Sequence, residues 1–356
     1  MKFKVMILFI ISVLLILVSG CAQPNDPESP ETGTEYLELQ AVYETEGYVA
    51  DLEVYDDCVY IAEDEGGFSI FDAQSDTLIV RQREYFDGAD TISFTNIKKL
   101  AVDEESNKML IYNKYSSHAG IHVFDITDRT YPIWRLWHTG NSADISDLKV
   151  TSIDSTHFQY YWVNLGTEYS SGKFIKNETG EGWSISSELE NYFGSDIVNF
   201  DEHLDTGIIY CASKQLGMRI VEKLYESYLT FPLLGTISTI GQTITVKVVD
   251  NIAYLGNREE GVNVVDISDL NNPIELFNYD TTGLASDLAV NAELNIFALA
   301  STSGGVYLFS GPEGEIRRLQ RIDDSEIGYT NLVRLRGNLL YVGTRYGVYK
   351  YAIINL

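Results

Sequence analysis

A short strand-like unit recurs at near-regular spacing along this 356-residue chain, and this repeat constrains the fold more than any other feature. Each copy places consecutive apolar or aromatic residues before a small or polar one, as in Val59-Tyr60-Ile61-Ala62 and Leu340-Tyr341-Val342-Gly343. The copies lie 43 to 51 residues apart and centre on Tyr60, Ile111, Trp162, Tyr210, Tyr254, Ala298 and Tyr341. A period of this length indicates an array in which each copy is one supersecondary unit.

A second unit follows most copies and consists of a glycine, alternating apolar positions and a final acid, as in Gly67–Asp72 and Gly261–Asp266. A further short strand precedes the pair (Asp51–Val54) and another follows it (Pro273–Phe277). The β-branched and aromatic content, with Gly and Asp at the turns, predicts strands, whereas a helical repeat would need apolar positions at 3.6-residue spacing. The sequence therefore predicts an all-β, seven-bladed β-propeller of four-stranded blades.

The two ends of the chain are expected to complete one blade together. The last cycle ends at Leu356 with only three strands, and an unmatched strand-like run, Tyr36–Tyr43, precedes the first cycle. An N-terminal strand added to the last blade would close the ring and remove two exposed sheet edges. Six blades with a divergent insertion around residues 140–195 is the alternative.

The second unit resembles the LVIVD repeat of exported bacterial propellers. Val262-Asn263-Val264-Val265-Asp266 is the closest copy, Ile121–Asp128 is a good second one, and the resemblance covers about residues 44–352. It implies a propeller in a surface or periplasmic setting. The family has no shared catalytic residues, so the resemblance supplies none.

The N-terminus has the pattern of an export signal, with Lys2 and Lys4 before an apolar run at 5–18. Leu17-Val18-Ser19-Gly20-Cys21 resembles the lipobox of bacterial lipoproteins, which implies removal of residues 1–20 and lipidation of Cys21. An uncleaved anchor with an incidental cysteine is the alternative. We therefore divide the chain into a signal peptide (1–20), an acidic, Pro-rich tether (21–35) and the propeller (36–356).

The charge of the chain restricts its partners. A net charge of −27 and a pI near 4.4 oppose nucleic-acid binding, which needs clustered Lys and Arg. They also oppose docking of the body on anionic headgroups, so the membrane would be reached through the N-terminal lipid alone. The expected location is the bacterial cell envelope, at the outer membrane or the extracytoplasmic surface.

Acidic residues near the centre of the predicted ring are the main candidate site. A polar residue opens each predicted innermost strand: Asp51, Asn96, Asp147, Asp196, Thr243, Asp287 and Asn331. Four carboxylates, those of Asp51, Asp147, Asp196 and Asp287, could bind calcium, which prefers oxygen ligands. The alternative is that these residues cap local turns. No other cofactor is expected, and Asp72, Asp125 and Asp266 are interpreted as turn residues.

No catalytic motif accompanies these acids. The chain lacks GxSxG, a paired Cys and His, and a phosphate-binding glycine loop. The leading hypothesis is a non-catalytic platform that binds an envelope protein or glycan on one propeller face. The alternative is a metal-dependent propeller hydrolase or lyase that uses the channel carboxylates.

Cysteines and aromatics give two further expectations. Cys58 and Cys211 fall in cycles one and four, too far apart for a disulfide, so we expect two buried free thiols. An aromatic cluster is expected either to pack between blades or to form an exposed stacking surface; its members are Trp134, Trp137, Tyr160, Tyr161 and Trp162.

Overall fold

The computed structural model describes residues 34–356, except 56, 87, 116–117, 139–143, 155–156, 165, 177–182, 204–205 and 224–230. The expected signal peptide, Cys21 and most of the tether lie outside the described residues. Within the described part of the chain, no helix has the length and apolar character needed to span a bilayer.

Seven antiparallel four-stranded sheets are arranged around a central channel. The first strand, β1 (Leu37–Glu44), belongs to the last blade. Blade 1 contains β2 (Asp51–Val54), β3 (Cys58–Ala62), β4 (Phe68–Asp72) and β5 (Thr77–Gln82). A hairpin of β6 (Glu84–Phe86) and β7 (Thr91–Ser93) follows. Blade 2 contains β8 (Ile97–Asp103), β9 (Lys108–Asn113), β10 (Gly120–Asp125) and β11 (Ile133–His138).

The next three blades have the same strand order. Blade 3 contains β12 (Ile145–Asp154), β13 (His157–Asn164), β14 (Gly166–Lys176) and β15 (Trp183–Ile197). Blade 4 contains β16 (Asn199–His203), β17 (Ile208–Ser213), β18 (Gly217–Glu222) and β19 (Leu233–Ile237). Blade 5 contains β20 (Thr243–Val249), β21 (Ile252–Asn257), β22 (Gly261–Asp266) and β23 (Ile274–Tyr279).

The last two blades complete the ring. Blade 6 contains β24 (Asp287–Asn291), β25 (Ile296–Ala300), β26 (Val306–Ser310) and β27 (Arg318–Ile322). A helical turn, α1 (Asp324–Ile327), links it to blade 7. Blade 7 contains β28 (Thr330–Arg336), β29 (Leu339–Thr344), β30 (Gly347–Ile353) and β1. The prediction of an all-β, seven-bladed propeller is confirmed, and the six-blade alternative is wrong because residues 145–197 form a complete blade.

The N-terminal strand pairs antiparallel with the last strand, with Leu37 opposite Ile353 and Glu44 opposite Gly347. The blade they share also contacts blade 1. Lys350 Nζ, on β30, lies 2.7 Å from Asp76 Oδ1 in the turn between β4 and β5. Sheet pairing therefore joins the first strand to the last one, and an ion pair joins blade 7 to blade 1.

The two faces of the disc are distinguished by the direction of the innermost strands. We call the face at which these strands begin the upper face, and the face at which they end the lower face. Loops from second to third strands and from one blade to the next lie on the upper face, because the strands alternate in direction. Tyr36 lies on the lower face: its carbonyl oxygen accepts from Ile354 N–H, and Ile353 N–H donates to Asn338 in the turn after β28.

The apolar core lies between adjacent blades. The second strand of each blade is buried on both sides, as in β3, where all five residues from Cys58 to Ala62 are buried. Cys58 packs in the cluster between blades 1 and 2, and Cys211 packs in the one between blades 3 and 4. Both cysteines are free and buried, so the prediction of two buried thiols is confirmed.

Candidate functional site

A repeated hydrogen bond connects the innermost strands around the channel. In blade 1, Asp51 Oδ2 accepts the backbone N–H of Leu100 on β8 at 3.0 Å. The equivalent bonds at other junctions are Phe200 N–H to Asp147 Oδ2 (3.2 Å), Val246 N–H to Asn199 Oδ1 (2.8 Å) and Val333 N–H to Asp287 Oδ2 (3.1 Å). This contact defines one equivalent position per blade: Asp51, Lys99, Asp147, Asn199, Thr245, Asp287 and Leu332. We call these residues the first channel layer.

Three blades have no carboxylate or amide at this position, because theirs is Lys99, Thr245 or Leu332, and at two of these junctions the next blade compensates. At the junction between blade 7, which has Leu332, and blade 1, Leu52 N–H donates instead to the side chain of the preceding residue, Asp51 Oδ1, at 3.0 Å. At the junction between blade 2, which has Lys99, and blade 3, Leu148 N–H donates in the same way to Asp147 Oδ1 at 3.1 Å. The aspartates therefore satisfy backbone donors that would otherwise be buried without a partner.

Three of the four predicted cation-binding residues, Asp51, Asp147 and Asp287, lie in the first channel layer. The prediction that Asp196 opens an innermost strand is wrong: it lies on β15, the outer strand of blade 3, and is exposed. Asn199 of β16 occupies the equivalent position instead. The long outer strand of blade 3 ends only one residue before β16, which displaces the predicted start of blade 4.

The other predicted ring residues, Asn96, Thr243 and Asn331, also lie off this layer. Their blades begin the innermost strand with a register shift, between Ile97 and Lys99, between Thr243 and Thr245, and between Thr330 and Leu332. A β-bulge adds one residue to a strand and changes which side chain points into the channel. The first polar residue of a strand is therefore not its channel residue in these blades.

Basic side chains that the sequence analysis missed complete the channel. Lys99 belongs to the first channel layer, and three more cations lie two residues further along their strands: Lys149, Lys247 and Arg334. Glu53 shares this second position in blade 1. The two-residue period of a strand could have identified them, because residues i and i+2 face the same side, so the residue two positions after each first-layer residue also faces the channel.

Arg334, on blade 7, contacts three carboxylates from the blades on either side of it. Its Nη1 lies 2.5 Å from Asp287 Oδ2, and its Nη2 lies 3.3 Å from Asp51 Oδ1 and 3.7 Å from Glu53 Oε1. These contacts place one guanidinium between blades 6 and 1. Burial alone would lower the pKa of Arg334, but the three carboxylates raise it above its usual value.

The remaining channel charges influence one another. Burial would lower the pKa of Lys99 and Lys149, but nearby aspartates raise both values: Asp51 for Lys99, and Asp201 for Lys149. The pKa of Lys247 is lowered, first by the positive charge of Lys149 and then by burial. Burial raises the pKa of Glu53, although Arg334 opposes this shift.

Each channel carboxylate already has a hydrogen bond, an ion pair or both. Within the described ranges, no three His, Cys, Asp or Glu side chains are grouped so that they could hold a metal ion. The arrangement can instead receive a ligand with charges or hydrogen-bonding groups, because the cavity, of about 450 Å³, is lined by both cations and anions.

The acids at the ends of third strands form turns as predicted. Asp72 Oδ1 accepts from Ser75 N–H at 2.7 Å, and Asp125 Oδ1 accepts from Thr127 N–H at 3.1 Å. Asp266 Oδ1 accepts from Ser268 N–H at 2.8 Å. These are Asx-type turns leading to the fourth strand.

A second candidate site lies on the upper face and consists of Tyr48, Tyr329, Arg345 and Tyr346. We call it the tyrosine patch. Tyr346 is 72% exposed and Tyr329 is 43% exposed, and the Arg345 guanidinium lies over the Tyr48 ring, 5.9 Å from its centre. Burial and then the charge of Tyr329 raise the pKa of Tyr48, so these two side chains are neighbours. Loops before blades 1 and 7 and within blade 7 contribute the residues.

The aromatic cluster at blades 2 and 3 packs in the interior. Tyr160, Tyr161 and Trp162 are buried, while Trp134 and Trp137 are half-buried. Tyr160 stacks on Trp162 with ring centres 5.2 Å apart. The packing interpretation is confirmed for the three buried members.

Comparisons with known proteins agree with this architecture. A family model described as LVIVD repeat matches residues 46–77 and 240–281. No curated protein matches the chain. The β-propeller domain of Myceliophteria thermophila Cps50 (Swd1) is 9% identical with a TM-score of 0.63, covering 89% of this chain and 100% of that one.

Two further solved structures have the same general form. The computationally designed Ika8 protein is 13% identical with a TM-score of 0.56, covering 88% of this chain and 100% of its own. Chaetomium thermophilum Raptor is 13% identical with a TM-score of 0.63, covering 91% of this chain and 29% of that one. At these identities the likeness concerns the fold alone. This chain is therefore a seven-bladed β-propeller of four-stranded blades that matches the LVIVD repeat at residues 46–77 and 240–281.

Proposed function

We propose that this protein is a lipid-anchored, non-catalytic binding platform of the bacterial cell envelope that binds a protein partner through the tyrosine patch. The observation that carries the proposal is the grouping of Tyr48, Tyr329 and Tyr346 with Arg345 in exposed loops. Tyrosine and arginine are enriched at protein interfaces and among the residues that dominate binding energy.

The charge around the patch favours a basic partner surface. Asp323, Asp324 and Glu326 lie in and before the helical turn that leads to Tyr329. With a net charge of −27, the whole chain attracts positively charged surfaces during encounter. The partner is therefore a protein with basic residues around a surface that accepts tyrosine side chains.

The position of the N-terminus suits a platform tethered to a membrane. Tyr36 lies on the lower face, opposite the tyrosine patch. Cys21, if lipidated, would be connected to the lower rim of blade 7 by a tether of up to about 50 Å at roughly 3.5 Å per residue. The patch would then face away from the bilayer.

Capture from detergent-solubilised envelope of the source cells tests the binding role. The bait is the full chain, and the comparison is between Arg345→Ala/Tyr346→Ala and a matched control on the lower face, Tyr131→Ala. Tyr131 is 66% exposed, close to the exposure of Tyr346. One protein should be captured equally by the wild type and Tyr131→Ala and at least tenfold less by the double variant.

Equal capture by all three baits would contradict the role of the patch. Capture abolished by deglycosylating the extract would identify a glycan as the ligand and overturn the protein assignment. The anchor is tested separately by mass spectrometry of the mature N-terminus. A diacylated or triacylated Cys21, lost with release into the soluble fraction in Cys21→Ser, is the expected result.

A further inference from the structure

The central channel contains a polar cavity that the proposed platform role does not use. Its volume is about 450 Å³, within the range of small-molecule sites, and all seven blades contribute to its wall. Four acids and four bases line it: Asp51, Glu53, Asp147, Asp287, Lys99, Lys149, Lys247 and Arg334. Most of these charges are matched within the protein, so the unmatched ones define what a ligand must supply.

Lys247 is the cation with the least compensation. Lys99 lies 3.9 Å from Asp51, Lys149 lies 3.7 Å from Asp201, and Arg334 contacts three carboxylates. Among the described residues, Lys247 forms no ion pair within 4.0 Å, and the positive charge of Lys149 acts on it. An anionic group beside Lys247 would relieve this repulsion.

Glu53 is the least compensated anion: among the described residues its carboxylate accepts no hydrogen bond, whereas Asp147, which has no cation within 4.0 Å, accepts from Leu148 N–H, Phe200 N–H and Asn199 Nδ2. The contact between Glu53 and Arg334, at 3.7 Å, is the longest of the three that the guanidinium makes, because Asp287 and Asp51 lie closer. The raised pKa of Glu53 and the lowered pKa of Lys247 agree with this geometry, because each shift disfavours the charged form. Glu53 is on blade 1 and Lys247 is on blade 5, so they lie on opposite walls of the channel.

We propose that the channel cavity binds a small zwitterion, whose carboxylate lies against Lys247 and Lys149 and whose ammonium group lies against Glu53. A simple anion would satisfy Lys247 but meet the carboxylates of the first channel layer. A simple cation would satisfy Glu53 but meet Arg334 and the lysines. One molecule with both charges matches both walls, and amino acids and short peptides have this chemistry.

Isothermal titration of the full chain in detergent micelles tests the proposal. The probes are glycine, 4-aminobutyrate and 6-aminohexanoate, each compared with its two singly charged analogues; for the longest probe these are hexanoate and hexylammonium. At least one zwitterion should bind ten times more tightly than both of its analogues. Absence of binding by every zwitterion, or equal binding by an analogue, would overturn the proposal without any variant being needed.

Variants then place the bound probe. Lys247→Gln and Glu53→Gln should each weaken the preferred zwitterion at least fivefold, and each should reduce its preference over one analogue. Lys214→Gln is the matched control, since Lys214 lies in an upper-face loop outside the cavity. Unchanged affinity in folded Lys247→Gln and Glu53→Gln, verified by thermal melting, would place the ligand elsewhere. The tyrosine-patch variants should bind the zwitterion like the wild type, which separates this site from the proposed platform.

Discussion

The indole Nε1–H of Trp134 donates a hydrogen bond of 3.1 Å to Nδ1 of His122. On the other side of the imidazole, Nε2 lies 2.7 Å from the carbonyl oxygen of His118. Because an indole N–H can only donate and a carbonyl can only accept, the two partners select the neutral tautomer protonated at Nε2. A proton on Nδ1 would oppose the Trp134 donor inside a fully buried site.

Stability should therefore fall as the pH falls through the range in which His122 titrates. Burial lowers its pKa to about 4, whereas an unfolded histidine has a pKa of about 6.5. The unfolded state binds more protons between these values, so the free energy of unfolding decreases by about 3 kcal/mol from pH 6.5 to pH 4. Urea unfolding at pH 7.0, 5.5 and 4.5 measures the decrease.

His122→Asn provides the comparison that isolates this residue. Its unfolding free energy should be lower at pH 7 but should change less between pH 7.0 and 4.5. His138, whose pKa burial also lowers, contributes equally to both proteins. Identical pH slopes for the wild type and His122→Asn would rule out His122 as the titrating group.

Arg334→Met should destabilise the ring at the junction of blades 6, 7 and 1. The substitution leaves Asp287, Asp51 and Glu53 without their shared cation, and removing one partner of a buried ion pair costs about 3 kcal/mol. Arg83→Met is the control, because its side chain is 53% exposed and lies 4.0 Å from Glu46. Denaturant midpoints should fall for Arg334→Met only; equal midpoints would mean that the channel ion pairs add no net stability.

The blade count was predictable from the sequence because the buried second and third strands repeat as apolar units. Both sides of these strands contact neighbouring blades, so their pattern is the same in every cycle. The innermost strands carry less information, since one side faces the channel and bulges near their starts change the register. The omission of Lys247 has this origin, whereas Asp196 was misplaced because the long outer strand of blade 3 runs to within one residue of β16.

The tyrosine patch could not be predicted for a different reason. Tyr48, Tyr329 and Tyr346 come from three loops, and closure of the ring brings Tyr48 beside Tyr329 and beside Arg345, the residue before Tyr346. Nothing in the local sequence distinguishes them from other tyrosines. Such a site exists only in the assembled fold.

Both thiols of the propeller should be protected in the folded protein. Burial raises the pKa of Cys58 to about 11 and that of Cys211 further, so neither forms a thiolate near neutral pH. Iodoacetamide at pH 7.5 should modify neither residue in the native protein and both in 6 M guanidinium. Peptide mapping identifies the sites; native modification of Cys211, or a Cys58–Cys211 bridge, would contradict the blade register.

The inter-blade hydrogen bonds of the first channel layer predict opposite outcomes at two equivalent positions. Asn199 accepts from Val246 N–H at 2.8 Å and donates to Asp147 Oδ2 at 2.8 Å, so Asn199→Ala leaves the Val246 N–H without its acceptor, removes one of the two donors to Asp147 Oδ2 and should cost about 2 kcal/mol. Thr245 is in the next blade, and its buried hydroxyl has no hydrogen-bond partner among the described residues.

Thr245→Val should therefore leave stability unchanged or raise it by up to about 1 kcal/mol, because a methyl group replaces an unpaired hydroxyl of similar size. Urea unfolding of both variants at pH 7 makes the comparison within one layer of the ring. Thr245→Val removes no hydrogen bond among the described residues, so a loss of stability as large as that in Asn199→Ala would contradict the prediction. It would mean that any substitution at this position of the layer is destabilising, and that the hydrogen bond between Asn199 and the next blade is not what stabilises the junction.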